Sequence, residues 1–411
     1  MNQTSMIRFG ECFRVKHGYA FKGEHFVKSG NYVVLTPGNF REHGGLKSQG
    51  EKEKYYSATP PDEYILSAGD LLIVMTDLTQ EARILGSPAI IPRNDKYLHN
   101  QRLGLVTQLD QEKLTKEYLY YLLNWSFVRD QIKATATGST VRHTAPDRIH
   151  AVQVSLPSLD TQRCIVSILS AYDDLIENNT RRIEILEEMA RRLYEEWFVQ
   201  FRFPGHEGVE FKESELGLIP EGWGIQPLYD VAEVTYGHPF KASQFNEDGV
   251  GLGIVRIRDI KAGEVKTYTS EEGKPKHLIE NGDILIGMDG QFHMGKWAGG
   301  QAWLVQRVAR FRPIQVGRYF LFLSLERPIK HLENTIVGTT VAHLSAKDLQ
   351  KLHVVVPEKA VLDAASSFLE PLYDLEMKLR RKNANLRAQR DLLIPKLISG
   401  EIDVSDIPMP T

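Results

Sequence analysis

Apolar residues recur at spacings of three and four along two long stretches of the chain. The first stretch runs from Leu169 to Trp197, and charged residues fill the positions between its apolar ones. The second stretch runs from Leu369 to Leu397, with Glu376 among its apolar positions. This heptad spacing predicts two long helices, each with an apolar seam. The predicted seam positions are Leu169, Tyr172, Ile176, Asn179, Ile183, Leu186, Leu193, Trp197, Leu369, Leu372, Leu379, Leu386, Leu393 and Leu397.

The simplest partner for each predicted helix is the other one, because a lone helix cannot bury such a stripe. We therefore expect the two helices to pair as an antiparallel coiled coil. Asn179 and Asn383 both fall on the seam, where a polar residue costs stability but fixes register and orientation. The alternative is two core helices of a larger domain, and a regular seam over roughly 30 residues favours the coiled coil.

Shorter apolar runs that follow turn residues predict strands. Such runs cover residues 71–75, 152–156, 284–288 and 352–356. Pro157 and Pro357 would end the second and fourth of these strands, since proline cannot continue a ladder. Residues 114–132 have helical spacing instead. Two mixed α/β domains are therefore expected beside the two long helices.

The most informative feature of the sequence is an internal duplication with an offset of 200 residues. The segment Thr137–His143 aligns with Val337–His343, and the register continues without a gap to Leu193 and Leu393. Upstream, residues 67–73 resemble residues 280–286 at an offset of 213, so the globular parts differ by insertions. The chain is predicted to be an α+β protein with a pseudo-twofold repeat. Its predicted parts are a first domain (1–157), a helical region (158–203), a second domain (204–357) and a second helical region with a tail (358–411).

Composition narrows the class of protein. The formal net charge is −3, whereas a protein that held DNA alone would normally carry a basic surplus. If DNA is the ligand, partner chains must supply many of the basic contacts to its phosphate backbone. Cys12 and Cys164 are the only cysteines, which gives no support for a disulfide framework or a zinc cluster. The apolar runs are shorter than the ~18 residues of a membrane span. We expect a cytoplasmic protein.

Sequence motifs of catalysis are incomplete. The segment Thr59–Asp62 lacks the polar residue and the aromatic of an adenine-methyltransferase loop, and the Gly251–Gly253 turn stands alone. Gly295 and Lys296 are followed by tryptophan rather than by the serine or threonine of a Walker motif. The sequence therefore predicts a protein that is not an enzyme and binds no metal.

Four short segments, in this order, resemble those of the DNA-specificity subunits of Type I restriction-modification systems. The segments are Leu156-Pro157 before the first helix, Trp197–Phe201 after it, Leu216–Trp223 at the start of the second domain, and Leu397–Ile402 near the end. The resemblance covers essentially the whole chain. It implies two target-recognition domains separated by conserved helical regions.

The resemblance also implies partners. Each domain would read one half of a split site in double-stranded DNA, and the coiled coil would set the gap between the halves. Two adenine-N6 methyltransferase subunits would bind mainly to the paired helices, and restriction/translocase subunits would join them. S-adenosylmethionine, ATP and Mg would belong to those partners, with no cofactor in this chain. Alternatives are a structural coiled-coil adaptor, a specificity module of another methyltransferase or nuclease system, and a self-sufficient enzyme.

Candidates for DNA contact are donors and acceptors on polar, glycine-rich segments. In the first domain they are Arg41, His43, Lys47, Asn100, Gln101, Arg102, Ser139, Thr140, Arg142 and His143. In the second domain they are Arg256, Arg258, Gln291, His293, Lys296, Thr339, Thr340 and His343. The Gly-Ser/Thr-Thr-Val-x-His element occurs in both copies, so a phosphate contact or a packing turn suits it better than a choice of base. A solvated surface role is the alternative for each candidate.

Overall fold

A computed structural model describes residues 6–336 and 342–404, which form two compact units. Unit 1 comprises the described residues up to Asp173 together with those from Ala388 onward. Unit 2 comprises residues Asp174–Arg387. The two long helices predicted from the heptad spacing are present as Leu159–Tyr194 and Lys359–Ile398, of 36 and 40 residues. Each unit contains part of both helices.

Unit 1 is built on a four-stranded antiparallel sheet. In spatial order its strands are Arg14–His17, Leu103–Thr107, Leu71–Val74 and Pro88–Ile90. The strand predicted at 71–75 is confirmed, and its four apolar residues are all buried in the middle of the sheet. A second sheet contains Phe26–Val27, Tyr55–Tyr56, Tyr32–Val34 and Tyr97–Leu98. Two further pairs join Met6–Arg8 to Gln153–Ser155 and Thr76–Asp77 to Arg142–His143.

The helices of the first domain are shorter than predicted. They are Lys116–Asn124, Ser126–Ala134 and Pro146–His150. The prediction of one continuous helix over 114–132 is wrong, because the backbone of Trp125 is extended (φ −71°, ψ 130°). The apolar spacing continues through the break, since Trp125 itself packs against the core of unit 1. Spacing alone therefore could not reveal it.

Unit 2 repeats this architecture. Its four-stranded sheet has the same order, Ala232–Tyr236, Val308–Pro313, Ile284–Gly287 and Met294–Lys296. The strands predicted at 284–288 and 352–356 are thus confirmed, the latter as His353–Val356 paired with Gly224–Pro227. A second sheet contains Phe245–Asn246, Tyr268–Thr269, Leu252–Val255, Ala302–Leu304 and Leu278–Ile279. A hairpin joins Phe211–Ser214 to Gly217–Pro220. The shorter helices are Leu228–Val231, Ile257–Ala262, Arg318–Thr335 and Ala346–Gln350.

Within unit 2, segments of the two long helices lie against each other in opposite directions. Asn179 Nδ2 donates to Asn383 Oδ1 at 2.9 Å, and Glu187 accepts from Arg380 Nη2 at 2.7 Å. Residue numbers rise along one helix as they fall along the other, so these segments are antiparallel. Ile183 packs with Leu379 between them.

Within unit 1, the first turns of one helix meet the last turns of the other. Arg390 forms an ion pair with Asp173 at 2.5 Å, and Leu169 shares an apolar cluster with Ile394 and Leu397. Every predicted seam residue is buried or partly buried. Tyr373, Met377 and Ile394 are buried as well, although they lay outside the predicted seam.

Neither a membrane span nor a metal cluster is found in the part of the chain that the structure describes. No helix there is long and apolar enough to cross a bilayer. No group of three or more His, Cys, Asp or Glu residues in the same ranges could hold a metal ion. Cys12 and Cys164 are both free and buried.

Candidate nucleic-acid interface

Three chain segments meet at one end of the four-stranded sheet of unit 2, an arrangement we call the strand-end junction. Met288 follows a central strand, and its N–H donates to the carbonyl of Arg307 at 2.8 Å. The Met288 carbonyl accepts from the N–H of Leu344 at 2.8 Å. The Gln306 N–H donates to the His238 carbonyl at 2.9 Å. Because all these bonds join backbone groups, they hold the segments in place without dictating the side chains.

Unit 1 contains the same junction. The Met75 N–H donates to the carbonyl of Arg102 at 2.9 Å, and the Met75 carbonyl accepts from Thr144 at 2.9 Å. The Gln101 N–H donates to the Tyr19 carbonyl at 3.0 Å. Gln101 and Arg102 therefore occupy the place that Gln306 and Arg307 occupy in unit 2.

The duplicated histidine lies beside each junction. In unit 1, His143 Nδ1 is 3.0 Å from Thr76 Oγ1. In unit 2, His343 Nδ1 is 2.6 Å from Asp289 Oδ1, and Asp289 Oδ2 is 3.3 Å from Nε of Arg307. The same position is thus a hydroxyl in one unit and a carboxylate in the other, so the two junctions share their backbone and differ in charge.

The duplicated glycine element is a tight turn in unit 1. Thr137 and His143 exchange backbone hydrogen bonds of 2.9 and 2.8 Å across it. Gly138 has a φ of +95°, and a Cβ there would lie 1.9 Å from a backbone oxygen of the turn, so only glycine fits. Ser139 and Thr140 are exposed at its tip. The matching Thr339 and Thr340 lie outside the described residues.

Arg142 holds this turn rather than facing outward. Its Nη2 group is within 3.3 Å of the Lys133 carbonyl and 3.4 Å of the Ala136 carbonyl, at the end of the preceding helix. The side chain is partly buried as a result. A structural task for Arg142 therefore has direct support, whereas its predicted DNA contact stays a prediction.

A cleft of about 530 Å³ opens beside the junction of unit 2. Its lining brings together four predicted residues from two separate segments of the sequence, namely Arg256, Arg258, Gln291 and His293. The cleft adds Gln306, Arg307 and Asp289, which the sequence analysis did not select. Guanidinium and amide groups are the donors that proteins use for phosphates and for base edges. The cleft therefore has the chemistry of a nucleic-acid contact.

The side chains of the cleft differ in freedom. Arg256 is held by Asp259 at 3.5 Å and by the Thr267 hydroxyl, and 28% of its side chain is exposed. Arg258 is 69% exposed. Burial lowers the pKa of His293 below its ordinary value, so its ring is neutral at neutral pH. Arg258, which lies 3.8 Å from Asp259, is accordingly the more exposed cation, and His293 offers hydrogen bonds without charge.

In the first domain, the predicted loop is exposed but firmly anchored. Arg41, His43 and Lys47 are all solvent-exposed. The buried Arg129 donates from Nη1 to the Glu42 carbonyl at 3.0 Å and from Nε to the Leu85 carbonyl at 2.7 Å. Burial lowers the pKa of Arg129 to about 10, so it remains a cation at neutral pH. A buried charge thus fixes the backbone from which the loop side chains project.

Asn100 shapes the neighbouring turn. It is only 9% exposed, and its Oδ1 accepts from the N–H of Arg102 at 3.0 Å. Gln101 and Arg102 are exposed. The Asn100 side chain is therefore engaged within the protein, and the two residues after it are the ones available to a ligand.

The DNA contact predicted for Lys296 is wrong. Its side chain is 4% exposed, and Nζ donates to Glu376 at 2.7 Å, to Glu187 at 3.2 Å and to the Tyr319 hydroxyl at 3.2 Å. Arg380 completes the network with bonds of 2.7 Å to both carboxylates. The reason is the strand that ends at Lys296, which directs this side chain inward against the long helices of unit 2. Lys296 is a structural cation.

Gln306, Arg307, Asp289 and Arg129 are the residues that the sequence analysis missed. A signal for two of them exists, because Gln101-Arg102-Leu103 recurs as Gln306-Arg307-Val308 at an offset of 205. That offset differs from the two already noted, and a three-residue match is too short to stand out without the fold.

The fold and the two junctions define an internally duplicated recognition protein, in which one scaffold occurs twice and carries different exposed side chains. The chain belongs to the family of the Type I restriction modification DNA specificity domain, which matches residues 2–188 and 220–386. The family predicted from the four short segments is therefore confirmed.

Curated relatives and a solved structure agree with this membership. The chain is 24% identical over 320 residues to the Type I restriction enzyme MjaIX specificity subunit of Methanocaldococcus jannaschii, covering 74% of this chain and 73% of that protein. It is 24% identical over 363 residues to the MjaVIII specificity subunit of the same organism, covering 84% and 82%. The crystal structure of a Type I restriction-modification system S subunit from M. genitalium has a similar fold, with a TM-score of 0.57, 16% identity and coverage of 100% and 98%. These relatives are named as specificity subunits, which are DNA-recognition components rather than catalytic ones, as the sequence analysis expected.

Proposed function

We propose that this chain is the DNA-sequence-recognition subunit of a Type I restriction-modification complex, in which each globular domain reads one half of an asymmetric two-part site. The observation that carries the proposal is the strand-end junction, which is built twice with different side chains around it. Unit 1 carries the exposed loop of Arg41, His43 and Lys47, whose backbone is bonded to the edge strand of the same sheet through the Pro88 carbonyl. Unit 2 surrounds its junction with the cleft of Arg256 and Arg258. One scaffold with two sets of donors suits two dissimilar half-sites.

The proposed roles of the domains and helical regions follow the boundaries predicted from the sequence. Residues 1–157 and 204–357 would be the target-recognition domains, and residues 158–203 and 358–411 would be the conserved helical regions. The remaining exposed candidates, including Gln101, Ser139 and Gln291, would contribute contacts to DNA. The proposed place of action is the cytoplasm, to which two free, buried cysteines are suited.

The two helical regions would form an antiparallel coiled coil that sets the gap between the half-sites. Support comes from the antiparallel segments in each unit and from the buried Asn179 and Asn383 pair. A polar pair on a seam restricts the helices to one register. At 1.5 Å per residue, 36 residues span about 54 Å, longer than one ~34 Å turn of DNA. The coil would thus be long enough to act as a ruler.

The paired helices would also dock two adenine-N6 methyltransferase subunits, with restriction/translocase subunits joining the assembly. Several large apolar side chains on the helices are exposed, which is costly in water unless a partner covers them. They are Leu175, Ile185, Met189, Phe368, Leu375 and Leu392. S-adenosylmethionine, ATP and Mg would bind to the partners. The net charge of −3 fits an assembly in which partners share the grip on phosphate.

The test is to express the chain with its cognate methyltransferase subunits in a host without other adenine methylation and to sequence the modified genome. We expect N6-methyladenine in a two-part motif with unlike halves. The matched control is the methyltransferase expressed without this chain, which should leave the genome unmodified. Methyl transfer by the purified chain alone, or a palindromic motif, would contradict the proposal.

A further inference from the structure

We propose that the two Gln-Arg turns, Gln101-Arg102 and Gln306-Arg307, are equivalent phosphate-contacting elements that seat the two domains on the DNA backbone. The inference rests on the proposed function, and it assigns these four residues to the backbone rather than to the choice of bases.

The first support is that both turns are packed in the same way. Each turn passes over a glycine that precedes an aromatic or imidazole ring. A Cβ on Gly18 would lie 2.2 Å from the Asn100 carbonyl oxygen, and a Cβ on Gly237 would lie 2.0 Å from the Val305 carbonyl oxygen. Any larger residue would push the turn away from the strand end. The two units therefore preserve the position of the turn as well as its sequence.

The second support is the exposure of the side chains. All four Gln and Arg side chains are solvent-exposed, although the glutamine N–H and the arginine carbonyl of each turn are bonded within the junction. Arg307 has a φ of +78°, a left-handed conformation that is rare for a residue with a side chain. Such strain persists only where the surrounding structure imposes it, and it is concentrated at functional sites.

The third support is the contrast between shared and unshared groups. The remaining exposed donors differ between the units, as the loop of unit 1 and the cleft of unit 2 show. An element that is the same in both domains cannot distinguish two unlike half-sites. It suits the component that all half-sites have in common, which is the phosphate backbone. Arginine and amide side chains are frequent donors to phosphate oxygens.

The acidic group at the junction of unit 2 is compatible with this role. Asp289 contacts Nε of Arg307, and His343 Nδ1 is 3.4 Å from Nη1. These contacts orient the guanidinium, and no hydrogen bond from Nη2 is found among the residues that the structure describes. In unit 1 the corresponding residue is Thr76, so Arg102 has no carboxylate there to oppose a phosphate. The contact made by Arg307 should accordingly be the weaker of the two.

The test uses the complete complex of this chain with its methyltransferase subunits. Affinity is measured over a series of salt concentrations for two duplexes, one that contains the recognised motif and one that lacks it. Methylome sequencing determines the methylated motif of each variant. The variants are Arg102→Gln, Arg307→Gln and the charge-preserving Arg102→Lys and Arg307→Lys. The matched control is Arg93→Gln, because Arg93 is exposed and follows the strand end at Ile90, which pairs with Leu71 at the opposite end of the sheet.

We expect each glutamine variant to weaken binding to both duplexes by a similar factor, roughly three- to tenfold at moderate salt. The slope of log K against log salt should fall by about 0.9 for each arginine removed. Lysine should restore the slope, since a point charge is enough for a phosphate contact. The methylated motif of each variant should be the same as that of the wild type. Arg93→Gln should also have the wild-type affinity and salt slope.

Two results would overturn the inference. A change of the methylated motif at one half-site, not rescued by lysine, would make the arginine a base-reading residue. An unchanged affinity and slope would mean that the turns do not touch DNA. If the wild-type complex showed no preference for the motif duplex at all, the proposed function would fail first, and that outcome is distinct from both.

Discussion

The Lys296 ammonium in unit 2 is enclosed by Glu376, Glu187 and Tyr319, and Glu376 is fully buried. Removing one partner of such a network leaves an uncompensated charge, which costs about 3 to 5 kcal/mol. We predict that Glu376→Gln lowers the free energy of unfolding of the unit by about 3 kcal/mol. The measurement is urea denaturation followed by tryptophan fluorescence.

The matched control for this network is the double variant Lys296→Met with Glu376→Leu. Because it removes both charges and fills the space with apolar atoms, it should be more stable than either single variant. If the change in unfolding free energy of the double variant equalled the sum of the changes in the two single variants, the residues would not form one network.

His99 gives unit 1 a dependence on pH. Burial lowers the pKa of its ring to about 4. The ring nitrogen Nε2 lies 2.9 Å from the Leu103 carbonyl oxygen. The unfolded chain has a histidine pKa near ~6.5, so below that pH the unfolded state binds the extra proton. Stability is therefore fully present above pH 6.5 and falls as the pH approaches 4. We predict a loss of roughly 2 kcal/mol between pH 7 and pH 5 from this residue.

The check on His99 compares urea denaturation at both pH values for the wild type and for His99→Gln. Glutamine removes the titrating ring. The free energy of unfolding of His99→Gln should therefore fall less between pH 7 and pH 5 than that of the wild type, by the predicted amount. An equal loss in both proteins would assign the pH dependence to other groups.

Some residue roles could be foreseen from the sequence and others could not. The polar seam position of Asn179 was visible in the heptad spacing, and the structure places it against Asn383. Lys296 looked like a surface residue because glycines and polar residues surround it in sequence. Its partners Glu187 and Glu376 are far away along the chain, so only the fold could reveal that it is buried.

At the scale of elements, the asparagine pair is a buried polar contact between the helix segments of unit 2. Asn383 Nδ2 also donates to the Ile176 carbonyl at 3.2 Å. We predict that Asn179→Leu destabilises the unit by about 1 to 3 kcal/mol, because Asn383 then keeps a buried polar group without its partner. Replacing both residues by leucine should raise stability but relax the register.

Register can be measured with spin labels at the exposed positions 182 and 378, one on each helix. Pulsed electron paramagnetic resonance should give one narrow distance in the wild type and a broader distribution in the double leucine variant. A narrow distribution in both would show that apolar packing alone fixes the register.

Periodicity was a good guide to long elements and a poor one to their interruptions. The strands at 71–74 and 284–287 and the two long helices appear where apolar spacing placed them. The break at Trp125 was invisible, because tertiary packing keeps this residue on the apolar face of the region even though its backbone leaves the helix.

At the scale of the whole molecule, the proposed ruler can be shortened. Deleting one heptad from each helix, residues 175–181 and 381–387, removes matched lengths of antiparallel segments and both seam asparagines. Seven residues correspond to about 10 Å, or roughly three base pairs. We predict that the gap in the methylated motif shortens by that amount while both half-sites stay the same.

Methylome sequencing of cells with the shortened chain checks this prediction. Deletion of only one of the two segments is the matched control, and it should abolish methylation because the seams no longer align. A motif with altered half-sites and an unaltered gap would argue against the ruler.

The duplication was evident from the joins between domains and helices, where the alignment runs without a gap. It was much less evident within the domains, although the four-stranded sheets next to the junctions have the same strand order. Backbone hydrogen bonds define that order, and they place few demands on the side chains. The Gln-Arg turn shows the consequence, since its equivalence emerged from shared backbone partners rather than from sequence similarity.

Unit 1 is discontinuous, because Ile394, Leu397 and Val404 belong to the same apolar cluster as Phe9 and Leu71. A ribosome must therefore translate the whole of Asp174–Arg387 before it delivers the residues that close the core of unit 1. At roughly 5 to 20 residues per second, that interval lasts on the order of ten to forty seconds. During it, the nascent first domain is left with an open apolar face, and at its end unit 2 has all of its own sequence while unit 1 still lacks its last part. Biosynthesis thus completes the later-encoded unit first.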